Sequence, residues 1–294
     1  MTMKPLLELR DIRRSFSSHG QTIHAVNGIS LTLSRGETLG IVGESGSGKS
    51  TLGRIAVGLD NASAGRILID GVDLHALSVA ERRERFRDSQ MIFQDPYSSL
   101  NPRLTVGRQI AEGLYASGIS DWTDIRERVR ALFLKVGLKA EQANLFPHEF
   151  SGGQRQRIAI ARALAPEPKI IVADEPVSAL DVTIQAQILD LLRELQKQAF
   201  LSYMFISHDM AVVAHLCDRI AVVHRGRIVE IGPTRSIIEN AQHTYTKTLL
   251  EAVPRFGRRR TGEKHWLPSQ PDHGPNDLFE TVAPEHEVLI HSSL

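Results

Sequence analysis

Only one of the 294 residues, Cys217, is a cysteine. That excludes an intrachain disulfide framework and any zinc ribbon that needs several thiolates. It fits a reducing compartment. Aromatic residues make up 5% of the chain, too few for a base-stacking surface. No sign of charge is in excess. The 35 Lys and Arg against 34 Asp and Glu leave a formal net charge of +1, which argues against gripping nucleic acid by bulk charge. No apolar run approaches the roughly 20 residues that span a bilayer. The longest, such as Ile170–Ala173 and Ile220–Val223, have strand length. The opening Met1-Thr2-Met3-Lys4-Pro5 carries no apolar signal-peptide segment. These absences predict a cytoplasmic protein that borrows any membrane attachment from something else.

What is present is an alternation of strand and helix patterns. Leu6–Phe16 and Ile23–Leu33 alternate with period two and flank a turn at Ser17-Ser18-His19-Gly20. Glu37–Gly43, Gly65–Gly71, Gln90–Gln94, Lys169–Asp174 and Leu201–Ser207 read as short strands, and Arg219–His224 with Ile228–Ile231 as a hairpin turning at Arg225-Gly226. Helices are expected from about Lys49 to Val57, over Glu81–Arg87, from Ser151 to about Leu164, over Ile184–Gln198 and over Met210–Leu216. Between Pro96 and Phe150 the texture turns helical, at Val106–Ala116 and Thr123–Val136. The pattern predicts an α/β fold: a mostly parallel sheet with helices on both faces and a helical insertion. After Pro254 comes a basic stretch, Arg255–Lys264, read first as a solvated linker and second as a contact for anionic headgroups. From Trp266 to Leu294 there is no Lys or Arg, and prolines stand at 268, 271, 275 and 284. Residues 255–294 are therefore expected to be a poorly packed tail.

Gly43-Glu44-Ser45-Gly46-Ser47-Gly48-Lys49-Ser50 fits G-x-x-x-x-G-K-[ST], with Thr51 next, between an expected strand and an expected helix. Glycines let the backbone turn its N–H groups toward phosphate oxygens, and the helix N-terminus adds positive potential. Lys49 suits the β- and γ-phosphates, and the Ser50 hydroxyl suits Mg²⁺. Kinases, GTPases, helicases and transporters share such a loop. Asp174 and Glu175 end an apolar strand, where Asp174 can hold Mg²⁺ and Glu175 can polarise an attacking water. Ser151-Gly152-Gly153-Gln154-Arg155-Gln156-Arg157 reads, on pattern alone, as either an anion site or a helix cap.

In this order the three segments resemble the ATP-binding cassette family, and the Ser151 segment matches its signature motif. The resemblance runs from about Leu6 to Pro254. It implies a P-loop ATPase core with an antiparallel β subdomain and a helical subdomain at about 96–150, with ATP and Mg²⁺ as ligands. It places Phe16 where the family keeps an aromatic on adenine. It makes Gln94 the glutamine that touches Mg²⁺, and His208 the switch histidine beside the γ-phosphate. Ser178-Ala179-Leu180-Asp181 becomes a loop crossing a dimer interface, although Asp181 alone reads as a helix cap. Ser151, Gly152, Gly153 and Gln154 are implied to complete the ATP site of a facing subunit.

Gln94-Asp95-Pro96-Tyr97-Ser98-Ser99-Leu100-Asn101-Pro102-Arg103 and the run Asp174–Gln187 are similar to the variant found in peptide and nickel importers. So is His243-Thr244-Tyr245-Thr246, with Thr244 in place of the usual proline, inside a C-terminal segment at about 232–254. On pattern alone that stretch is a short helix, Tyr245–Ala252. Some members carry a cysteine cluster after this point, which one cysteine cannot supply. The resemblance implies a peripheral subunit at the cytoplasmic face of the membrane. Its partners are a second cassette, identical or homologous, two membrane permeases and an extracytoplasmic solute-binding protein, with no nucleic acid. Peptide leads as cargo over nickel, opines or oligosaccharides. The segment Tyr97–Leu104 is expected to offer exposed apolar residues to a permease. Repair and chromosome cassettes carry long coiled coils or zinc modules, and no heptad array separates Lys49 from Ser151. Translation cassettes usually carry two phosphate loops, and this chain has one. A GTPase needs an Asn-Lys-x-Asp motif, which the chain lacks.

Overall fold

The computed structural model describes residues 4–18, 21–252 and 278–290. In chain order the elements are β1 (Leu7–Ser18), β2 (Gln21–Leu33), β3 (Thr38–Val42), α1 (Lys49–Ala56), β4 (Ala64–Ile69), β5 (Val72–Asp73), α2 (Val79–Arg87), β6 (Ser89–Ile92), α3 (Pro96–Ser99), α4 (Val106–Ala116), α5 (Trp122–Lys135), α6 (Gly152–Leu164), β7 (Ile170–Asp174), α7 (Val182–Ala199), β8 (Ser202–Ser207), α8 (Met210–Leu216), β9 (Arg219–His224), β10 (Arg227–Pro233), α9 (Thr234–Asn240), α10 (Thr244–Ala252), β11 (Leu278–Ala283) and β12 (His286–Ile290).

Two sheets result. A small antiparallel sheet runs β2-β1-β4-β5, and a larger one runs β11-β12-β10-β9-β3-β8-β7-β6. Strands β9, β3, β8, β7 and β6 are mutually parallel, while β10, β12 and β11 continue the sheet antiparallel. Strands β3, β7 and β8 are buried along their whole length, as parallel strands covered on both faces must be. Side-chain alternation divides their contacts. Val42, Ile171, Ala173, Tyr203, Phe205 and Val222 join the core formed with α4, α5, α6, α7 and α8. Ile41, Ile170, Val172, Met204, Ile206 and Val223 join α1 and the small sheet on the other side. The large sheet is therefore a central layer, and α1 and the loop before it lie between the two sheets.

The hairpin at Arg225-Gly226 forms where the sequence predicts it. Both turn residues have positive φ, 47° and 78°, the geometry that suits the right-handed twist of a two-residue hairpin. Strand β6 ends at Ile92, so Gln94 sits in the loop beyond it rather than at the strand end.

The C-terminal expectation needs correction. Residues 278–290 are not a loose tail. They form a hairpin in which β12 pairs with β10, Glu230 opposite Val288 and Ile231 opposite Glu287. Val288 and Leu289 are buried. The acidic, proline-bearing composition hid two short strands, one of which pairs with β10 far back along the chain, Glu230 with Val288 and Ile231 with Glu287. The basic stretch 255–264 lies outside the described residues.

Helix α8 packs on β3 at Gly40. A β-carbon there would meet Val213 Cγ1 at 2.3 Å and Cys217 Sγ at 3.0 Å. Gly40→Ala is expected to cost about 1–3 kcal/mol through overpacking. Denaturant unfolding checks this, and an unchanged midpoint contradicts it.

Candidate active site

The loop from Gly43 to Gly48 departs from β3 and returns into α1. Its three glycines have φ of 153°, 81° and 102° at positions 43, 46 and 48. Space is as restrictive as angle. A β-carbon on Gly43 would come 2.1 Å from the Val223 carbonyl oxygen of β9, and one on Gly48 would come 2.0 Å from the Ala25 carbonyl oxygen of β2. The Gly226 N–H donates to the Ser47 carbonyl at 2.9 Å, and the Asn27 N–H donates to the Gly226 carbonyl at 2.8 Å. The loop is thus clasped between β2 and the β9–β10 hairpin.

Lys49 is nearly buried, at 4% exposure. Its ammonium donates to the carbonyls of Gly43 and Glu44, both at 2.7 Å. Burial lowers its pKa, opposed by Glu175, Asp174 and Glu44. Desolvation weakens its hold on the proton, so it gains from an incoming anion. The Ser50 hydroxyl donates to Asp174 Oδ1 at 2.9 Å. This brings together two of the hard oxygen ligands that magnesium favours. Among the described residues no group of three or more His, Cys, Asp or Glu side chains could hold a metal ion.

Glu175 follows β7 with φ of 46°, a left-handed conformation that costs a non-glycine residue about 1–3 kcal/mol. Its N–H donates to the Ile206 carbonyl at 2.9 Å, which holds the turn. One carboxylate oxygen, Oε2, accepts from Gln94 Nε2 at 2.9 Å and lies 3.1 Å from His208 Nδ1. Gln94 in the loop after β6, Glu175 just past β7 and His208 just past β8 meet at one atom. With Gln94 and His208 both at Oε2, the other oxygen is left to accept from a water, which suits a general base.

These groups line a single pocket of about 630 Å³, together with Ala25, Gly43, Glu44, Ser45, Gly46, Gly48, Lys49, Ser50, Thr51 and Leu249. Ser47 is buried behind the loop. Six of the expected ligand residues lie elsewhere. Ser151 caps α6 through a reciprocal pair with Gln154, whose N–H donates to Ser151 Oγ at 3.3 Å while its side chain accepts from the Ser151 N–H at 2.9 Å. A β-carbon on Gly153 would meet Ile184 at 2.5 Å, and one on Gly152 would meet Leu180 at 3.7 Å. Asp181 caps α7, accepting from the Ile184 N–H at 3.0 Å. The signature segment and the Asp181 loop therefore adjoin each other, but neither lines the phosphate pocket. Phe16 is also outside it, on β1, with the Arg14 guanidinium 4.7 Å from its ring centroid.

Three residues at the pocket or its loop escaped sequence reasoning. Ala25 lines the pocket, and no motif marks it. Leu249 lines the pocket from α10. Tyr245, also on α10, accepts a hydrogen bond from the Glu44 N–H at 2.9 Å. The Tyr97–Leu104 expectation is also narrowed. Leu100 is buried, Tyr97 is exposed, and Arg155 covers one face of the Tyr97 ring at 3.6 Å.

Comparison with known proteins gives the family. The ABC transporter family profile matches residues 26–178, and the profile for the oligopeptide/dipeptide transporter C-terminal region matches residues 229–277. The oligopeptide transport ATP-binding protein OppF of Bacillus subtilis is 47% identical over 98% of this chain and 97% of its own. Its namesake in Salmonella typhimurium is 50% identical over 85% of this chain and 78% of its own. Among solved structures, the dimeric cassette MJ0796 in a post-hydrolysis state with ADP and Pi superposes with a TM-score of 0.71. It is 31% identical and covers 78% of this chain and 99% of its own. The chain belongs to the ABC transporter family. It is an ATPase, built as that family's nucleotide-binding cassette.

Asp174 offers a check on the site's electrostatics. Burial raises its pKa, opposed chiefly by the Ser50 hydrogen bond. A raised folded-state pKa means that the ionised form destabilises the nucleotide-free fold. That penalty is absent below the ordinary carboxylate pKa of about 4 and is complete above the raised value. Asp174→Asn keeps an acceptor for Ser50 and removes the charge. Its melting temperature without nucleotide is expected to exceed wild type by a few degrees at neutral pH, with the gap closing in acid. An equal or lower value at neutral pH contradicts the assignment.

Proposed function

We propose that this chain is the ATP-hydrolysing subunit of an importer that takes up di- and oligopeptides across the cytoplasmic membrane. One observation carries the reading. Lys49, Ser50, Gln94, Glu175 and His208 line one pocket, and α10, which lines it through Leu249 and braces its loop through Tyr245, falls inside the region matched to the oligopeptide/dipeptide transporter C-terminus. Nickel, opine or oligosaccharide uptake would use the same machinery.

The loop N–H groups and Lys49 bind the phosphates of ATP. Lys49 exchanges two backbone carbonyls for anionic oxygens, which offsets its burial. Ser50, Asp174 and Gln94 would hold magnesium, which would supply positive charge to neutralise the phosphates. Glu175 orients a water for attack on the γ-phosphorus and takes its proton, as the bond from the γ-phosphorus to the bridging oxygen breaks and ADP leaves. Gln94 and His208 fix the Glu175 carboxylate through their shared contact at Oε2. Phe16 offers the ring face away from Arg14 to adenine.

Ser151, Gly152, Gly153, Gln154 and Asp181 act across a subunit boundary. They lie beside one another and away from the chain's own pocket. A second cassette, identical or homologous, placed head to tail supplies them to the γ-phosphate. ATP binding closes this pair and hydrolysis reopens it. No helix among the described residues is long and apolar enough to cross a membrane, so two permease subunits supply the path. A solute-binding protein outside the membrane delivers cargo. The cassette occupies residues 1–254, and its helical subdomain, about 96–150, meets the permeases with Tyr97 at the contact.

Two substitutions test the hydrolytic reading. Lys49→Ala is expected to abolish ATP binding in a nucleotide titration, and unchanged affinity would remove the phosphate-loop assignment. Glu175→Gln should bind ATP but hydrolyse it at least about a hundredfold more slowly, accumulating closed dimer on gel filtration. Near-normal turnover would sink the general-base role.

A further inference from the structure

We propose that Tyr245 is a positioning residue for the phosphate loop, and that the C-terminal hairpin β11–β12 sets its position through the buried carboxylate of Glu230. The proposal rests on the reading that residues 43–51 bind nucleotide phosphates.

Glu44 is held at both ends. Its N–H donates to the Tyr245 hydroxyl at 2.9 Å, and its carbonyl accepts from Lys49 Nζ at 2.7 Å and from the Ser47 N–H at 3.2 Å. When Lys49 turns to phosphate, the carbonyl keeps only the longer of these two bonds. The Tyr245 hydroxyl then becomes the short polar anchor of this part of the loop. The Tyr245 hydroxyl also occupies the Glu44 N–H, so that donor does not point into the pocket, and the peptide plane is set for the N–H groups that follow.

Tyr245 can do this because it is itself immobilised. It is 1% exposed, and its ring stacks on His224 at 4.1 Å between centroids. Burial pushes the His224 imidazole down to about 4, so a neutral ring faces the tyrosine at physiological pH. The Tyr245 N–H donates to His243 Nδ1 at 3.2 Å. The chain just before it is tied to Glu230, whose carboxylate accepts from the Gln242 N–H at 2.8 Å and the His243 N–H at 3.1 Å. The same carboxylate meets His286 Nε2 at 2.8 Å. Glu230 is fully buried and His286 is 1% exposed. Gly232 leaves room for this contact, since a β-carbon there would lie 3.1 Å from the His286 ring.

A carboxylate with no access to water depends on each of its donors. Among the described residues, two come from the segment leading into α10 and another from β12. Without His286, Glu230 must draw compensation from Gln242 and His243 or from water, and either shift is passed to Tyr245 two residues on. The hairpin is thus linked to the phosphate loop by a continuous set of contacts: His286, Glu230, His243, Tyr245, Glu44.

The test is calorimetric titration of ADP with Mg²⁺ into the full-length chain. Tyr245→Phe keeps the ring and removes the hydroxyl. It is expected to weaken ADP binding about fivefold, the worth of one ordinary hydrogen bond, and to raise the KM for ATP by more than it lowers kcat. His286→Leu is expected to weaken binding in the same direction, and His286→Gln, which retains an N–H donor, to restore it. The double variant Tyr245→Phe/His286→Leu should be no weaker than the poorer single variant. Glu230→Gln serves as the second disruption of the network if His286→Leu fails to fold, with the same direction expected. If wild type binds ADP and Tyr245→Phe binds it equally well, the proposal is overturned while the phosphate-loop reading stands. If wild type does not bind ADP, that reading fails first. Additive effects of Tyr245→Phe and His286→Leu, or no rescue by His286→Gln, overturn the link to the hairpin.

Discussion

The glycine loop at residues 43–48 has its shape because two carbonyl oxygens leave it no alternative. Val223 of the large sheet and Ala25 of the small one stand 2.1 and 2.0 Å from where β-carbons would project from Gly43 and Gly48. Positive φ at both positions makes glycine doubly necessary. The rest of the site follows from this clasp. It aims the loop amides outward and starts α1 at Lys49. It also draws Lys49 into burial, where its own loop carbonyls keep it satisfied. A loop held on only one side could relax away from a phosphate-binding shape.

Around this loop the molecule accepts arrangements that do not favour its own stability. Lys49 and Asp174 are both 4% exposed, and burial works against the charged form of each. Glu175 sits in a left-handed backbone conformation held by a bond to Ile206. Such features collect where a ligand or a reacting group repays them. Parallel strands β6, β7 and β8 end side by side and bring Gln94, Glu175 and His208 to one carboxylate oxygen, as open α/β sheets do at the carboxyl ends of their strands.

Much of this was legible in the chain. The strand before Gly43, the apolar run into Asp174-Glu175 and the turn at Arg225-Gly226 are local patterns, and each appears where its residues predict. The helical stretch between Pro96 and Phe150 was likewise visible in its 3.6-residue period. Residues 278–290 were not. Their alternation is short and lies beside prolines and acidic residues. What makes them strands is an edge of β10 that local sequence does not reveal. Leu100 misled for a similar reason, because an apolar residue in a loop gives no sign of whether a core waits for it. Tyr245 looked like one residue of a short helix, and its hydroxyl acquires meaning only beside Glu44.

By itself the sequence determined the chemical parts: a glycine loop with a lysine and a serine, a strand ending in two carboxylates, a capped helix rich in glycine at its start, and a histidine after a strand. Spacing along a chain suffices for these, since each depends on neighbours within a few residues. Only the tertiary structure decided which parts share a pocket and which do not. It put Gln94, Glu175 and His208 on one atom, left Ser151 and Asp181 together outside, and laid the C-terminal hairpin against Glu230. Those outcomes come from sheet order and from buried groups seeking partners. Both are settled by contacts between residues far apart in sequence, which no local pattern encodes.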